Sequence, residues 1–141
     1  MPVHTIQCDI VSAERVLFSA QVQCLIITSE QGELGIYPGH APLLATLSNG
    51  AARIQLPSEQ EEVVYLSGGF VEVQPYKVTV LADVALRLDE LHEEAALAAK
   101  QHAEEHLGNN QPDLDHQRAM KELNEALTRL RVINKYSHHN T

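Results

Sequence analysis

The chain has 141 residues, 44% of them hydrophobic, and 19 acids against 10 bases give a formal charge of −9. That balance excludes a nucleic-acid partner, which needs clustered Lys and Arg, and the apolar content excludes wholesale disorder. No apolar stretch approaches the ~18 residues of a membrane-spanning helix. The start Met1-Pro2-Val3-His4 lacks the basic and apolar regions of a secretory signal, so the expectation is a soluble cytoplasmic protein without direct membrane insertion.

In chain order, Ile6, Cys8 and Ile10 alternate with Thr5, Gln7 and Asp9, the pattern of a half-buried strand. Val22 to Thr28 is apolar on both faces and reads as a central strand. Cys8 and Cys24 lie within these runs and are expected as reduced core thiols. Then comes Gly32-Glu33-Leu34-Gly35-Ile36-Tyr37-Pro38-Gly39-His40-Ala41-Pro42-Leu43-Leu44, a loop of tight turns held against a core by its large apolar residues. Glu33 and His40 make it a candidate contact surface; a packed turn between two strands is the competing reading.

Ala51 to Leu56 and Glu62 to Leu66 bracket Pro57-Ser58-Glu59-Gln60 as a hairpin with a longer loop. Gly68-Gly69 opens a strand from Phe70 to Val73, and Pro75-Tyr76-Lys77 turns it into Val78 to Leu81. No Lys-Ser/Thr and no helix follow the two glycines, so they form a bulge or corner and not a phosphate loop. Six of seven glycines and five of six prolines precede residue 83. This turn density predicts an all-β sandwich or barrel of short strands over residues 1–84.

Beyond Asp83 the periodicity becomes helical. Asp89 can cap a helix whose stripe is Leu88, Leu91, Ala95, Ala98 and His102, ending at Gly108-Asn109-Asn110-Gln111-Pro112. Asp113 or Asp115 caps a second helix with a stripe of Met120, Leu123, Leu127 and Leu130. Residues 85–141 thus read as an antiparallel hairpin and short tail, making the whole chain α+β. The first helix is acidic; the second carries Arg118, Lys121, Arg129, Arg131 and Lys135 against Glu122 and Glu125. These charges either pair across the hairpin or let the basic helix dock on an acidic partner.

His102-Ala103-Glu104-Glu105-His106 matches an inverted zinc-peptidase pattern, so a metal-dependent hydrolase using His102, Glu105 and His106 is the alternative function. Such a site needs a third ligand and a supporting fold, and the 35 residues after His106 read as one surface helix and a tail. His138-His139 is a tail feature, and Ser67 lacks a nucleophile-elbow setting. The expectation is therefore no active site, metal or cofactor, and a function that resides in surfaces.

The stretch from Gly32 to Leu44 resembles the signature of the epsilon subunit of F-type ATP synthases. So do Tyr65-Leu66-Ser67-Gly68-Gly69-Phe70-Val71-Glu72-Val73 and Val78-Thr79-Val80-Leu81-Ala82-Asp83. The likeness covers nearly the whole chain and is densest up to Asp83. It implies a ten-stranded sandwich and a two-helix hairpin in a non-catalytic rotor subunit, peripheral on the cytoplasmic face of the bacterial inner membrane. The sandwich would bind the gamma subunit and rest on the c-subunit ring, with Glu33 and His40 at the ring contact. The hairpin would lie folded on the sandwich or extend along gamma among the catalytic alpha and beta subunits, where it would inhibit ATP hydrolysis; the bases Arg118, Lys121, Arg129, Arg131 and Lys135 suit that docking. Some members bind ATP through an acid and an arginine at the start of the first helix. Here Leu91-His92-Glu93-Glu94-Ala95-Ala96 puts His92 and Ala95 in those places, and the frame starting at Leu88-Asp89 also lacks the arginine. No nucleotide site is expected, because the guanidinium is the strongest attraction to phosphate.

Overall fold

The computed structural model describes residues 4–90, 100–104 and 113–136. The chain divides into two compact units, Met1–Arg87 and Leu88–Thr141. The sequence reading places the boundary after residue 84, whereas β-pairing continues as far as Arg87 opposite Val64.

The first unit contains eight strands: β1 (Ile6–Ser12), β2 (Val16–Val22), β3 (Cys24–Ser29), β4 (Gly32–Ile36), β5 (Leu43–Thr46), β6 (Gly50–Gln55), β7 (Glu61–Gln74) and β8 (Lys77–Arg87). They form a β-sandwich in which β7 and β8 serve both layers. The later part of β7 and the earlier part of β8 complete one layer, in the order β5-β7-β8-β1-β2. Their other halves begin the second, β8-β7-β6-β3-β4. About ten short strands become eight because these two do not stop at the corner: β7 has 14 residues and β8 has 11.

The corner is at Gly68-Gly69. Before it, even-numbered Val64 and Leu66 face the core; after it, odd-numbered Val71 and Val73 do. The opposite strand switches as well, from Val78, Val80 and Ala82 to Ala85. Register is unbroken from Val64↔Arg87 to Gln74↔Lys77, so both strands turn over together and no residue is inserted. Positive φ at both glycines (66° and 102°) permits this reversal. The corner therefore differs from a bulge, which would shift the pairing. Tyr65 is fully buried but stands outside the core cluster, on the opposite face of β7 from Val64 and Leu66.

The core is otherwise aliphatic, with Ile6, Ile10, Val22, Leu25, Ile27, Ile36 and Ile54 fully or almost fully enclosed. Both cysteines are free and buried. Burial, reinforced by the charge of Asp9, pushes the Cys8 thiol up to about 12, so it packs as a small neutral hydrophobe.

The second unit begins with a 3-10 turn, Leu88–Glu90, and includes helical residues 100–104 and a long helix, Asp113–Tyr136. Ala119, Ala126, Val132 and Ile133 are its buried residues, with Leu123, Leu127 and Leu130 half-buried. Met120, expected on the apolar stripe, is exposed: the small Ala119 and Ala126 set the buried face one position earlier. Lys100 and Glu104 pair one turn apart at 3.9 Å, on the same helical run.

The two kinds of glycine at turns separate in a stability measurement. A Cβ on Gly69 would fall on the Leu81 carbonyl oxygen, whereas one on Gly32 (φ 122°) would meet nothing. Gly32→Ala should cost about 1–3 kcal/mol, the strain of its backbone conformation alone. Gly69→Ala should cost at least about 4 kcal/mol or abolish folding, as read by urea denaturation of the full chain.

Candidate docking surfaces

Three surfaces concentrate the features that a partner could recognise. The first is the outward face of the β5-β7-β8-β1-β2 layer. Pairing aligns Thr46, Phe70, Leu81, Val11 and Val16 in one row across all five strands. Val16 (63% exposed), Leu81 (53%) and Phe70 (52%) leave this row open to solvent, and Leu44 (69%) extends it on β5. Four large apolar residues gathered on one exposed face are what a protein interface presents. Beside them a groove of about 390 Å³ is lined by Pro42, Leu43, Leu44, Glu72 and Gln74.

The same face changes character along its strands. The neighbouring rows contain Asp9 opposite Ser19 and Thr79, then Gln7 opposite Gln21 and Lys77. The Ser19 hydroxyl donates to Asp9 Oδ1 at 2.7 Å and the Gln7 amide to the same oxygen at 2.8 Å, while Lys77 Nζ lies 3.3 Å from Oδ2. The Ser19 bond most of all, then those from Gln7 and Lys77, hold the Asp9 carboxyl below its usual range. This end of the face is a self-satisfied polar ladder.

The second surface is the turn-rich stretch. Its first five residues form edge strand β4, so Glu33 stands on a strand and not in a loop. Glu33 Oε1 lies 3.6 Å from Arg53 Nη2 on β6, and its side chain is exposed. The turn proper spans 37–42, closed by His40 N–H donating to the Tyr37 carbonyl at 3.1 Å. Gly39, at φ 83°, donates its N–H to Pro75 across the 2.8 Å gap that ties the turn to the β7–β8 hairpin. The His40 ring nitrogen Nδ1 donates to the Ala41 carbonyl at 2.7 Å, which fixes the ring against its own turn. Glu33 and His40 are thus held by different partners, and Tyr37 between them is exposed. The partnership with Arg53 has no signature in the sequence, since it is made diagonally across β3 by a residue twenty positions away.

The third surface is the long helix. Arg118, Lys121, Arg131 and Lys135 are exposed. Arg129 is half-buried and lines a groove of about 220 Å³ with His102, Glu122, Glu125 and Ala126. Lys135 Nζ lies 5.3 Å from the centre of the Tyr136 ring. His102 is exposed; Glu105 and His106, the rest of the zinc-like pattern, lie outside the described residues, as do His92 and Ala95. Among the described residues no group of three or more His, Cys, Asp or Glu could hold a metal ion, and no helix is long and apolar enough to cross a membrane.

The family model of the ATP synthase delta/epsilon chain beta-sandwich domain matches residues 5–88. That of the delta/epsilon long alpha-helix domain matches residues 89–134. Among solved structures, the chain is similar to one in the Euglena gracilis mitochondrial ATP synthase (OSCP/F1/c-ring), with a TM-score of 0.73 and 17% identity, covering 100% of this chain and 84% of that one. It is also similar to a chain in the central stalk/c-ring of the Tetrahymena thermophila mitochondrial ATP synthase, with a TM-score of 0.62, 17% identity, and 96% and 98% coverage.

The polar ladder makes stability depend on pH. Because the folded state lowers the Asp9 pKa, its contribution is present above the unfolded value of about 3.9 and is lost as pH falls through the folded value. Asp9→Asn should therefore be less stable than the parent at pH 7. Urea denaturation at pH 7 and pH 3 checks this, and the gap between the two proteins should narrow at the lower pH.

Proposed function

The chain belongs to the ATP synthase delta/epsilon family of non-catalytic stalk chains, and from that premise we propose that it is a rotor subunit coupling the c-subunit ring to the catalytic head through gamma. The observation that carries this reading is the open row of Val16, Phe70 and Leu81 with Leu44 beside it, a solvent-facing apolar strip on a rigid layer. Gamma is the partner that would cover it. Burying those four side chains supplies the apolar area on which a lasting subunit contact depends. Glu33 and His40 face the c-ring, presented by an edge strand and by a turn braced on the β7–β8 hairpin.

The helices inhibit ATP hydrolysis by reaching the alpha and beta catalytic subunits. Arg118, Lys121, Arg131 and Lys135 make the first electrostatic contact because they are already exposed, and Arg129 joins once its groove opens. The subunit then works peripherally on the cytoplasmic face of a bacterial inner membrane, as part of a proton-translocating enzyme. It contributes no cofactor and no active site of its own.

Two experiments test this reading. Leu81→Glu and Phe70→Glu place a charge on the exposed strip without touching the core, so the isolated chain should melt within a few degrees of the parent, as for most surface changes. Binding to gamma should fall at least about tenfold in a pull-down or titration, because a carboxylate would be buried unpaired; unchanged binding would place gamma elsewhere. Ending the chain after Asn110 removes the long helix and its bases. ATP hydrolysis by reconstituted enzyme should then rise severalfold with gamma assembly intact, and neutralising the five bases should reproduce part of that rise, less so at high salt. Equal rates for all forms would make the helices a passive clamp.

A further inference from the structure

Glu33 is the one residue of the turn-rich stretch with a charged partner on another strand. Arg53 on β6 pairs with Ile26 on β3, and Ile26 pairs with Gly35 on edge strand β4. That row ends at a glycine, so beyond Ile26 no side chain stands at the edge. Glu33 and Tyr37 flank Gly35 on the same face of the strand line, two residues to either side, and a Cβ at Gly35 would touch the Tyr37 ring at 3.4 Å. The space over Gly35 is therefore bounded by the Tyr37 ring, and the 3.6 Å Arg53–Glu33 pair runs diagonally across β3 to the edge strand.

An ion pair this open to water adds little stability, and holding two long side chains in one geometry costs rotamer freedom. Its consequence is orientation. A glutamate on an edge strand otherwise samples many rotamers and must be ordered when a partner binds; ordering it beforehand removes that cost from the binding step. We propose that Arg53 is a positioning residue that holds the Glu33 carboxylate on edge strand β4 in the orientation its partner surface meets. This rests on the reading of Glu33 as a c-ring contact.

The test uses whole enzyme reconstituted in lipid vesicles with Glu33→Gln, Arg53→Ala, both together, and Arg53→Lys. The readout is proton uptake per ATP hydrolysed, alongside thermal melting of each full-length isolated chain. Arg53→Ala should lower the ratio about two- to fivefold, by as much as Glu33→Gln does, the size expected of one exposed charged contact. The double variant should be no worse than either single one, because Arg53 acts through Glu33. Arg53→Lys should restore most of the loss, and every chain should melt alike. Additive loss in the double variant, or a normal ratio for Arg53→Ala beside an impaired Glu33→Gln, overturns the positioning role and leaves the contact standing. A normal ratio for Glu33→Gln removes the contact and the proposal with it. A melting drop in Arg53→Ala that Arg53→Lys does not reverse makes Arg53 a structural residue and also overturns the proposal.

Discussion

The reversal at Gly68-Gly69 decides which side chains the sandwich buries. A ribbon of two paired strands passes from one layer to the other, and at that point both strands exchange their inward and outward sets. Without the exchange, Phe70, Glu72 and Leu81 would take the core positions of Val71, Val73 and Val80, since a one-residue slip in facing moves a whole strand's side chains to the other side. Positive φ at two consecutive residues is what the backbone needs there, and the Leu81 carbonyl sits where a Cβ on Gly69 would be. Asp83 packs its side chain where a Cβ on Gly68 would go, so the corner is closed from both strands. The composition of the outward face thus follows from the backbone at two glycines.

That outward face is two-sided in character. One end is an apolar strip and the other a ladder in which Asp9, Gln7, Ser19, Gln21 and Lys77 satisfy each other. Polar groups already paired gain little from a partner, whereas exposed apolar area gains by being covered. The difference gives a binding partner a direction along the strands, because only one end rewards contact.

Much of this was legible in the sequence, for physical reasons that differ by element. Alternation in Ile6, Cys8 and Ile10 and the two-sided apolar run of Val22 to Thr28 identified strands because one or both faces are buried, although the run divides at Gln23, with Val22 closing β2 and Cys24 opening β3. The division into a sandwich and helices followed from where glycine and proline stop. The resemblance implied about ten short strands, and there are eight because Gly68-Gly69 turns two continuous strands over where a break was expected. Met120 was assigned to the helix stripe by its spacing from Leu123 and Leu127, but Ala119 and Ala126 occupy the buried face. The row of Val16, Phe70 and Leu81 could not be read, because each residue sits beside core residues of its own strand (Leu17, Val71, Val80) and only register brings the three together on the outward face. Arg53 was invisible as a partner of Glu33 for the same reason.

The parallel pairing of β1 with β8 has a consequence in time. Every other neighbouring pair in the sheet is antiparallel, but β1 finds its place only beside a strand near the end of the sandwich, Cys8 opposite Val78. Loop closure over so long a separation is slow relative to hairpin formation. At a synthesis rate of about 5–20 residues per second, the roughly 70 residues between them take on the order of 4–14 s to appear. During that interval β1 and β2 can form only their own hairpin, one of whose faces carries Ile6, Cys8 and Ile10 in water. A lone hairpin is marginal, so the nascent chain passes through a stage in which its first strands are exposed and sticky. The sandwich can close only once Ala82 has been made.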